Sequence, residues 1–154
     1  MVNPSKSAEE LDVDVRRCVY DSFLTTGESI AVASISKQLG ESRSAIAASL
    51  SRLAKAHMLV LQPESGEVLM AIPFSAVPTA FRVQSERLGW WANCIWDAMG
   101  VCAMTQVDGT ILTSCPDCGE AMSLTIQGSQ QKPAQGIVHF AVPAAHWWDD
   151  VVYT

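Results

Sequence analysis

The chain has 154 residues, a net charge of −6 and 49% hydrophobic residues, which predict one domain, or two small ones sharing a core. The acidic balance argues against a strong nucleic-acid binder, because such proteins carry a basic face. The first residues are polar and acidic, unlike a signal peptide, and no apolar run approaches the ~20 residues that cross a bilayer. We therefore expect a cytoplasmic protein without a membrane partner.

The first 75 residues follow a pattern of three helices and a hairpin. Apolar residues recur at helical spacing in residues 8–25. A second helix is predicted to end at Gly40, and a third to begin after Ser42, a favourable N-cap residue. The segment VLQPESGEVLMAI then indicates strand, turn and strand. This order is typical of a winged-helix domain, which we predict for residues 1–75.

The third predicted helix raises the question of DNA binding. Arg43, Arg52 and Lys55 lie on it, yet residues 1–70 contain seven Lys or Arg against nine Asp or Glu. Its exposed positions are Ala and Ser, which offer little to a base edge. We therefore favour a structural role for this domain and do not expect DNA as a partner.

The second half of the chain changes from a linker to a helix and then to short strands. Residues 76–89 show little periodicity and are predicted to be an extended linker. Residues 90–100, WWANCIWDAMG, are predicted to be helical. Beyond them, turns separate four β-rich stretches: VCAMTQV, TILTSC, AMSLTIQG and GIVHFAVP. The expected fold class is α+β, with a winged-helix-like three-helix domain followed by a mixed core of helix and small antiparallel sheet in residues 90–154.

Cys94 and Asp97 form the first candidate site. A lone cysteine on an apolar helix is most often an inert core residue, but an aspartate on the same apolar face is costly to bury without a partner. Burial and a neighbouring thiolate are expected to raise the pKa of the Asp97 carboxyl, which could then act as a general acid near neutral pH. A thiolate beside such an acid suits the capture of a soft electrophile and the protonation of its leaving group.

Cys115 and Cys118 form the second candidate site, in the segment SCPDCG. A Cys-x-x-Cys turn is half of a zinc knuckle, and the full site needs two more ligands. No second Cys-x-x-Cys is present, and His139 and His146 stand at no recognised spacing. We therefore favour a turn with two reduced thiols over structural zinc. The odd number of cysteines, five, also argues against a disulfide framework.

Three motifs, taken in order, resemble those of the organomercurial (alkylmercury) lyases. They are WWANCIWDAMG, then TSCPDCGEAMSLTI, then VHFAVPAAHWWDD, and MAIPFSAVPTAFRV resembles the family's linker. The resemblance covers essentially the whole chain. It implies cleavage of a carbon–mercury bond without an organic cofactor, with an organomercurial as substrate and Hg(II) as product. It also implies small cellular thiols or mercuric reductase as acceptors of the metal.

The resemblance assigns roles residue by residue. Cys94 would be the thiolate that captures R–Hg⁺, and Asp97 would carry the proton that converts the leaving carbanion to R–H. Cys115 matches a family cysteine that is regarded as structural. The family's second mercury-binding cysteine would fall at or just beyond Thr154, so we expect a chain that is shortened before it. Cys118 is then the best internal substitute, and the predicted mercury-binding thiols are Cys94, Cys118 and Cys115.

Two other functions fit the same residues. A non-catalytic thiol protein could bind soft metals through Cys94, Cys115 and Cys118. A winged-helix regulator, metal-responsive or not, would instead depend on its basic third helix. The sequence gives neither the oligomeric state nor the preferred organic group.

Overall fold

The computed structural model describes residues 6–132 and 137–152. Its first part consists of the three predicted helices, the third of which ends at Lys55, four residues earlier than the predicted end at Leu59. Gly40 ends the second helix in a left-handed conformation, and the Ser42 side chain caps the third by accepting a hydrogen bond from the Ala45 backbone N–H. The bounds are α1 (Ala8–Thr26), α2 (Val32–Leu39) and α3 (Arg43–Lys55).

The strands of the described residues form one antiparallel sheet in the order β1-β2-β3-β5-β4-β6-β7-β8. A fourth helix, α4 (Ile95–Thr105), packs on the middle of this sheet, and a short 3-10 helix (Ala144–Asp149) lies near the C-terminus. The strands are β1 (Val60–Leu61), β2 (Val68–Ala71), β3 (Phe74–Ser75), β4 (Phe81–Gln84), β5 (Gly89–Ala92), β6 (Gly109–Ser114), β7 (Ala121–Gln127) and β8 (Gln130–Gln131).

The α+β class is therefore confirmed, as are the three N-terminal helices and the hairpin that follows them. The hairpin strands β1 and β2 belong to the same sheet as the strands of the second half. The winged-helix assignment and the division at residues 75 and 90 stay predictions. In the described parts of the chain, no helix combines the length and the apolar character that crossing a membrane requires.

The prediction of a linker for residues 76–89 is wrong at its centre, where β4 lies. This strand pairs with β5 on one side and β6 on the other, and the Val83 side chain is fully buried. The segment contains a proline, and β4 has only four residues, so the alternation of Phe81 and Val83 is too short to stand out as a period-two pattern.

The helix predicted for residues 90–100 begins later than expected, because Trp90 and Trp91 belong to β5. It then continues to Thr105, through most of the stretch VCAMTQV that was predicted to be a strand. Ala98, Val101 and Cys102 are buried at helical spacing. A short apolar run cannot distinguish a buried helix from a buried strand by periodicity alone, so here the packing onto the sheet decided.

Two of the other β-rich stretches are strands as predicted: TILTSC contains most of β6, and AMSLTIQG contains β7. The last one is not, since residues 137–142 carry no strand; Gly136 lies outside the described residues. The edge of the sheet beside β7 is occupied by β8.

Contacts between α1 and the sheet join the two halves of the molecule. The Trp90 indole N–H donates to the Phe23 backbone oxygen at 2.7 Å, and both side chains are buried. The Phe23 and Phe74 rings stack with their centroids 5.0 Å apart. A buried aromatic pair of this kind contributes about 0.5–1.5 kcal/mol beyond the area it buries. These contacts hold β5, and the residues that follow it, against the helices.

The basic surface of α3 is partly occupied by an intramolecular ion pair. The Arg52 guanidinium donates to both carboxylate oxygens of Asp12 on α1, at 2.8 and 2.6 Å, and the Ser49 hydroxyl donates to the same carboxylate at 2.6 Å. A bidentate arginine–carboxylate pair has a fixed geometry. Arg52 thus fastens α3 to α1, which favours the structural interpretation of the helices.

The close approach of Gly27 and Gly89 generates a stability prediction. Gly27 has φ of +80°, and a Cβ placed there would collide with the Gly89 backbone oxygen. Gly40 has φ of +69° with nothing near its Cβ position, so it is a matched control. We expect Gly40→Ala to cost about 1–2 kcal/mol from the left-handed backbone alone. Gly27→Ala should cost at least about 1 kcal/mol more from the collision, as measured by urea unfolding. Equal losses in the two variants would contradict this contact.

Candidate active site

Cys94 lies at the junction of β5 and α4, where it is the N-cap residue of the helix. Its backbone is extended, with φ of −147° and ψ of −179°. The Asp97 backbone N–H donates to the Cys94 Sγ at 3.4 Å, so the sulfur takes the place that a serine or aspartate oxygen usually has at an N-cap. The positive end of the helix dipole at this position favours a thiolate over a thiol.

Asp97 lies in the first turn of α4 and is more than half buried beside Cys94. The Asn93 side-chain amide donates to Asp97 Oδ2 at 3.1 Å, and the same amide lies 3.4 Å from the Pro73 oxygen and 3.5 Å from the Phe74 oxygen. Asn93 therefore connects the carboxyl to the backbone at β3. Its own Oδ1 is buried without a hydrogen-bond partner among the described residues.

Burial disfavours the charged form of both reactive groups. Burial raises the pKa of the Asp97 carboxyl above its usual range, although hydrogen bonds from Asn93 and Cys94 oppose this shift. Burial also raises the pKa of the Cys94 thiol; the Asp97 N–H opposes this shift, and the Asp97 charge adds to it.

The pair opens into an apolar cavity of about 610 Å³. One wall comes from the sheet and the start of α4, and the other from residues 139–152. The large side chains around the cavity are aromatic or aliphatic: Met70, Ile72, Phe81, Ile95, Trp96, Phe140, Trp147, Trp148, Val151 and Val152. Asp97 and His139 are the ionisable neighbours of Cys94 in this lining. The cavity size is typical of small-molecule sites, about 300–1,000 Å³.

Ring contacts and a hydrogen bond hold the C-terminal segment over the cavity. The Trp148 ring stacks on His57, just after α3, with centroids 4.2 Å apart and an interplanar angle of 6°. The Trp147 indole N–H donates to the Val142 oxygen at 2.8 Å, and its ring lies 5.3 Å from that of Phe140. The aromatic residues near the C-terminus thus form a wall of the site.

Cys115 and Cys118 lie elsewhere, on the turn between β6 and β7. The Cys115 N–H donates to the Glu120 oxygen at 2.8 Å, and the Gly119 N–H donates to the Cys115 oxygen at 2.9 Å. Backbone N–H groups of Cys118 and Asp117 lower the pKa of the Cys115 thiol, and the Cys118 thiol adds to this effect. Neither cysteine lines the cavity.

The structure therefore brings Cys94 and Asp97 together but leaves the other two candidate thiols outside. This placement gives no support to Cys118 as a second sulfur at Cys94. In residues 6–132 and 137–152, no group of three or more His, Cys, Asp or Glu is arranged to hold a metal ion. Sequence reasoning missed Asn93; a lone amide within an apolar, tryptophan-rich stretch was the available signal.

The α+β scaffold thus places a thiol beside a carboxyl of raised pKa in one apolar cavity. The family model described as "MerB: Alkylmercury lyase" matches residues 74–154, which is more than half of the chain. The chain belongs to the alkylmercury lyase family. This membership confirms the resemblance seen in the sequence.

A solved structure described as the mercury-bound form of MerB2 is similar in fold. It superposes with a TM-score of 0.62 at 16% sequence identity, over 83% of this chain. The chain spans 65% of the length of that protein. Among curated proteins, none matches the chain.

The burial of Asp97 generates a pH-dependent stability prediction. Because its pKa is higher in the folded chain than in the unfolded one, the folded state binds more protons, and the free energy of unfolding falls as pH rises from about 4, the ordinary aspartate value. Asp97→Asn removes this ionisation, so its stability relative to the original chain should increase as pH rises from about 4 through the raised pKa of Asp97. Urea unfolding across this range measures it. Glu64→Gln, on an exposed turn, is the control and should show a smaller change; a flat difference for Asp97→Asn would contradict the buried acid.

Proposed function

We propose that this chain cleaves the carbon–mercury bond of organomercurials, with Cys94 as the capturing thiolate and Asp97 as the proton donor. One observation carries the proposal: the two side chains are neighbours at the start of α4 and line the same apolar cavity. A guest bonded to the Cys94 sulfur would lie within reach of the Asp97 carboxyl.

Capture begins with the exchange of a ligand on mercury. Mercury is a soft cation and binds thiolates strongly. The Cys94 sulfur displaces the ligand X⁻ of R–Hg–X, and X⁻ takes up the Cys94 proton and leaves as HX, while the N-terminus of α4 stabilises the transient thiolate. The organic group would then lie among the aromatic and aliphatic walls, which exclude water.

Cleavage requires a second electron donor to mercury and a proton for carbon. We assign the donor role to a small solution thiolate, R′S⁻, because Cys115 and Cys118 lie outside the cavity lining. Donation from both sulfurs makes the attached carbon more basic. The carbon takes the Asp97 proton as its bond to mercury breaks, which releases R–H. Cys94–S–Hg–SR′ and the Asp97 carboxylate remain. The step balances because the negative charge of R′S⁻ ends on the Asp97 carboxylate and the Asp97 proton ends on R–H.

Asn93 is a positioning residue in this scheme. Its amide holds Asp97 Oδ2 at 3.1 Å, which leaves the other carboxyl oxygen to carry the proton. The same hydrogen bond stabilises the carboxylate left after proton transfer. A second thiol molecule, R′SH, would return the proton to Asp97 and remove the mercury.

A non-catalytic binder explains the site less fully, because holding a soft metal does not require a buried acid beside the thiol. Such an acid costs free energy to desolvate. A DNA-binding regulator is also less favoured, since Arg52 is engaged with Asp12. The lyase proposal assigns a chemical role to both side chains, with Cys94 binding mercury and Asp97 donating the proton.

Phenylmercury with excess small thiol tests the proposal through benzene release, measured by gas chromatography. Cys94→Ser should abolish both capture at the site and benzene release. Asp97→Asn should still capture phenylmercury, but its benzene release should fall about 10²–10⁴-fold, the usual contribution of a general acid. Cys18→Ala, which removes a buried thiol on α1 far along the chain from the site, is the matched control and should retain release.

Two results would overturn the lyase proposal. One is stoichiometric retention of phenylmercury by the unchanged chain with no benzene formed, which would establish a binder. The other is equal benzene release by the unchanged chain and the Asp97→Asn variant, which would remove Asp97 from the chemistry.

A further inference from the structure

The β6–β7 turn lies at the same end of the strands as the candidate active site. Strands β5 and β6 run in the same direction, since each pairs antiparallel with β4 between them. Arg82 of β4 lies opposite both Trp91 of β5 and Leu112 of β6. Cys94 follows Trp91 by three residues, and Cys115 follows Leu112 by three. The chain therefore leaves β5 and β6 at the same end of these strands. Two strand spacings put these exits about 10 Å apart.

The turn itself presents two thiols together. Backbone hydrogen bonds from Cys115 to Glu120 and from Gly119 to Cys115 close the turn. The Cys118 thiol and the N–H groups of Cys118 and Asp117 all donate to the Cys115 sulfur. Cys118 is exposed, whereas Cys94 is half-buried and Cys18 and Cys102 are buried. Cys115 is partly buried, as Cys94 is, so Cys118 is the one fully exposed thiol of the five and the point at which the turn is reached from solution.

We propose that the Cys115–Cys118 turn is a second soft-metal site, a dithiol that chelates the Hg(II) leaving Cys94. Chelation by the turn requires only these two residues; its role as an acceptor of product rests on the function proposed above. The turn would therefore hold mercury after cleavage, outside the cavity, where small thiols or a partner protein can remove it.

The transfer is a ligand exchange without any change of oxidation state. Mercury leaves Cys94 as the bis-thiolate R′S–Hg–SR′. The Cys115 thiolate displaces one R′S⁻, and the Cys118 sulfur then displaces the other, whose released thiolate takes up the Cys118 proton. The products are Cys115–S–Hg–S–Cys118, R′S⁻ and R′SH, so charge and protons balance. Because the second displacement is intramolecular, the turn competes well with a monothiol.

The number of ligands favours mercury over zinc at this turn. Structural zinc takes four protein ligands, and among the described residues no third His, Cys, Asp or Glu joins the two cysteines in a metal-binding group. Hg(II) is satisfied by two thiolates in a near-linear arrangement. A two-residue dithiol on an open turn therefore fits the ion that the adjacent cavity would produce.

Mercury binding in a Cys94→Ser background tests the chelate separately from catalysis. The reduced full chain is titrated anaerobically with Hg(II) in excess 2-mercaptoethanol, and retained mercury is measured after gel filtration. We expect about one Hg(II) per Cys94→Ser chain. We expect about 100-fold weaker retention in Cys94→Ser/Cys118→Ser, the loss that accompanies a change from chelation to single attachment. Cys94→Ser/Cys102→Ala has the same number of thiols and should retain mercury like Cys94→Ser.

Equal retention with and without Cys118, or equal loss on removing Cys102, would overturn the site. A second measurement tests the acceptor role in the unchanged chain after one turnover of phenylmercury, by alkylation of free thiols and peptide mapping. Protection of Cys115 and Cys118, with Cys94 alkylated, is expected; protection of Cys94 alone would overturn the transfer. If no benzene forms, the lyase proposal fails while the result in the Cys94→Ser background stands.

Discussion

The burial of one carboxyl, Asp97, is the constraint on which the candidate site depends. An ionised aspartate in an apolar wall is costly, so the group is stable there only as a neutral acid or with hydrogen bonds to its charge. Asn93 and the Cys94 thiol supply those bonds. A side chain that alternates between a bound proton and a stabilised negative charge is what protonolysis of a metal–carbon bond requires.

The junction between β5 and α4 sets the geometry of that acid and its thiol. A cysteine at the N-cap lies three residues before an aspartate whose N–H it binds, so the two groups meet through local backbone geometry alone. The position of the junction is set from a distance: Trp90 is hydrogen-bonded to Phe23 of α1, and Gly89 contacts Gly27. The N-terminal helices thus act as the support of the site, consistent with Arg52 being used to join α3 to α1.

The cavity around Cys94 and the β6–β7 turn lie at the same end of strands β5 and β6 but differ in their access to solvent. The cavity around Cys94 is enclosed by aromatic residues of the C-terminal segment, including Trp148 stacked on His57. The β6–β7 turn presents Cys118 to solvent beside a partly buried Cys115. In the functions proposed above, exclusion of water would favour proton transfer to carbon, whereas an exposed thiol would favour ligand exchange with solution thiols, so the two proposed steps make opposite demands on their surroundings.

The sequence by itself determined the three helices, the β1–β2 hairpin, strands β6 and β7, and the pairing of Cys94 with Asp97. These features rest on local signals: helical periodicity, capping residues, turn residues, and a spacing of three that brings two side chains together near a helix start. The sequence did not reveal β4, the strand at Trp90 and Trp91, or the extension of α4 to Thr105. Those segments are short, and their backbone conformation is decided by which neighbours supply hydrogen bonds and a surface to pack against. Tertiary structure also decided that Cys118 lies outside the cavity and that the Asn93 amide lies beside the Pro73 and Phe74 oxygens, because such contacts depend on how strands far apart in sequence are ordered in the sheet.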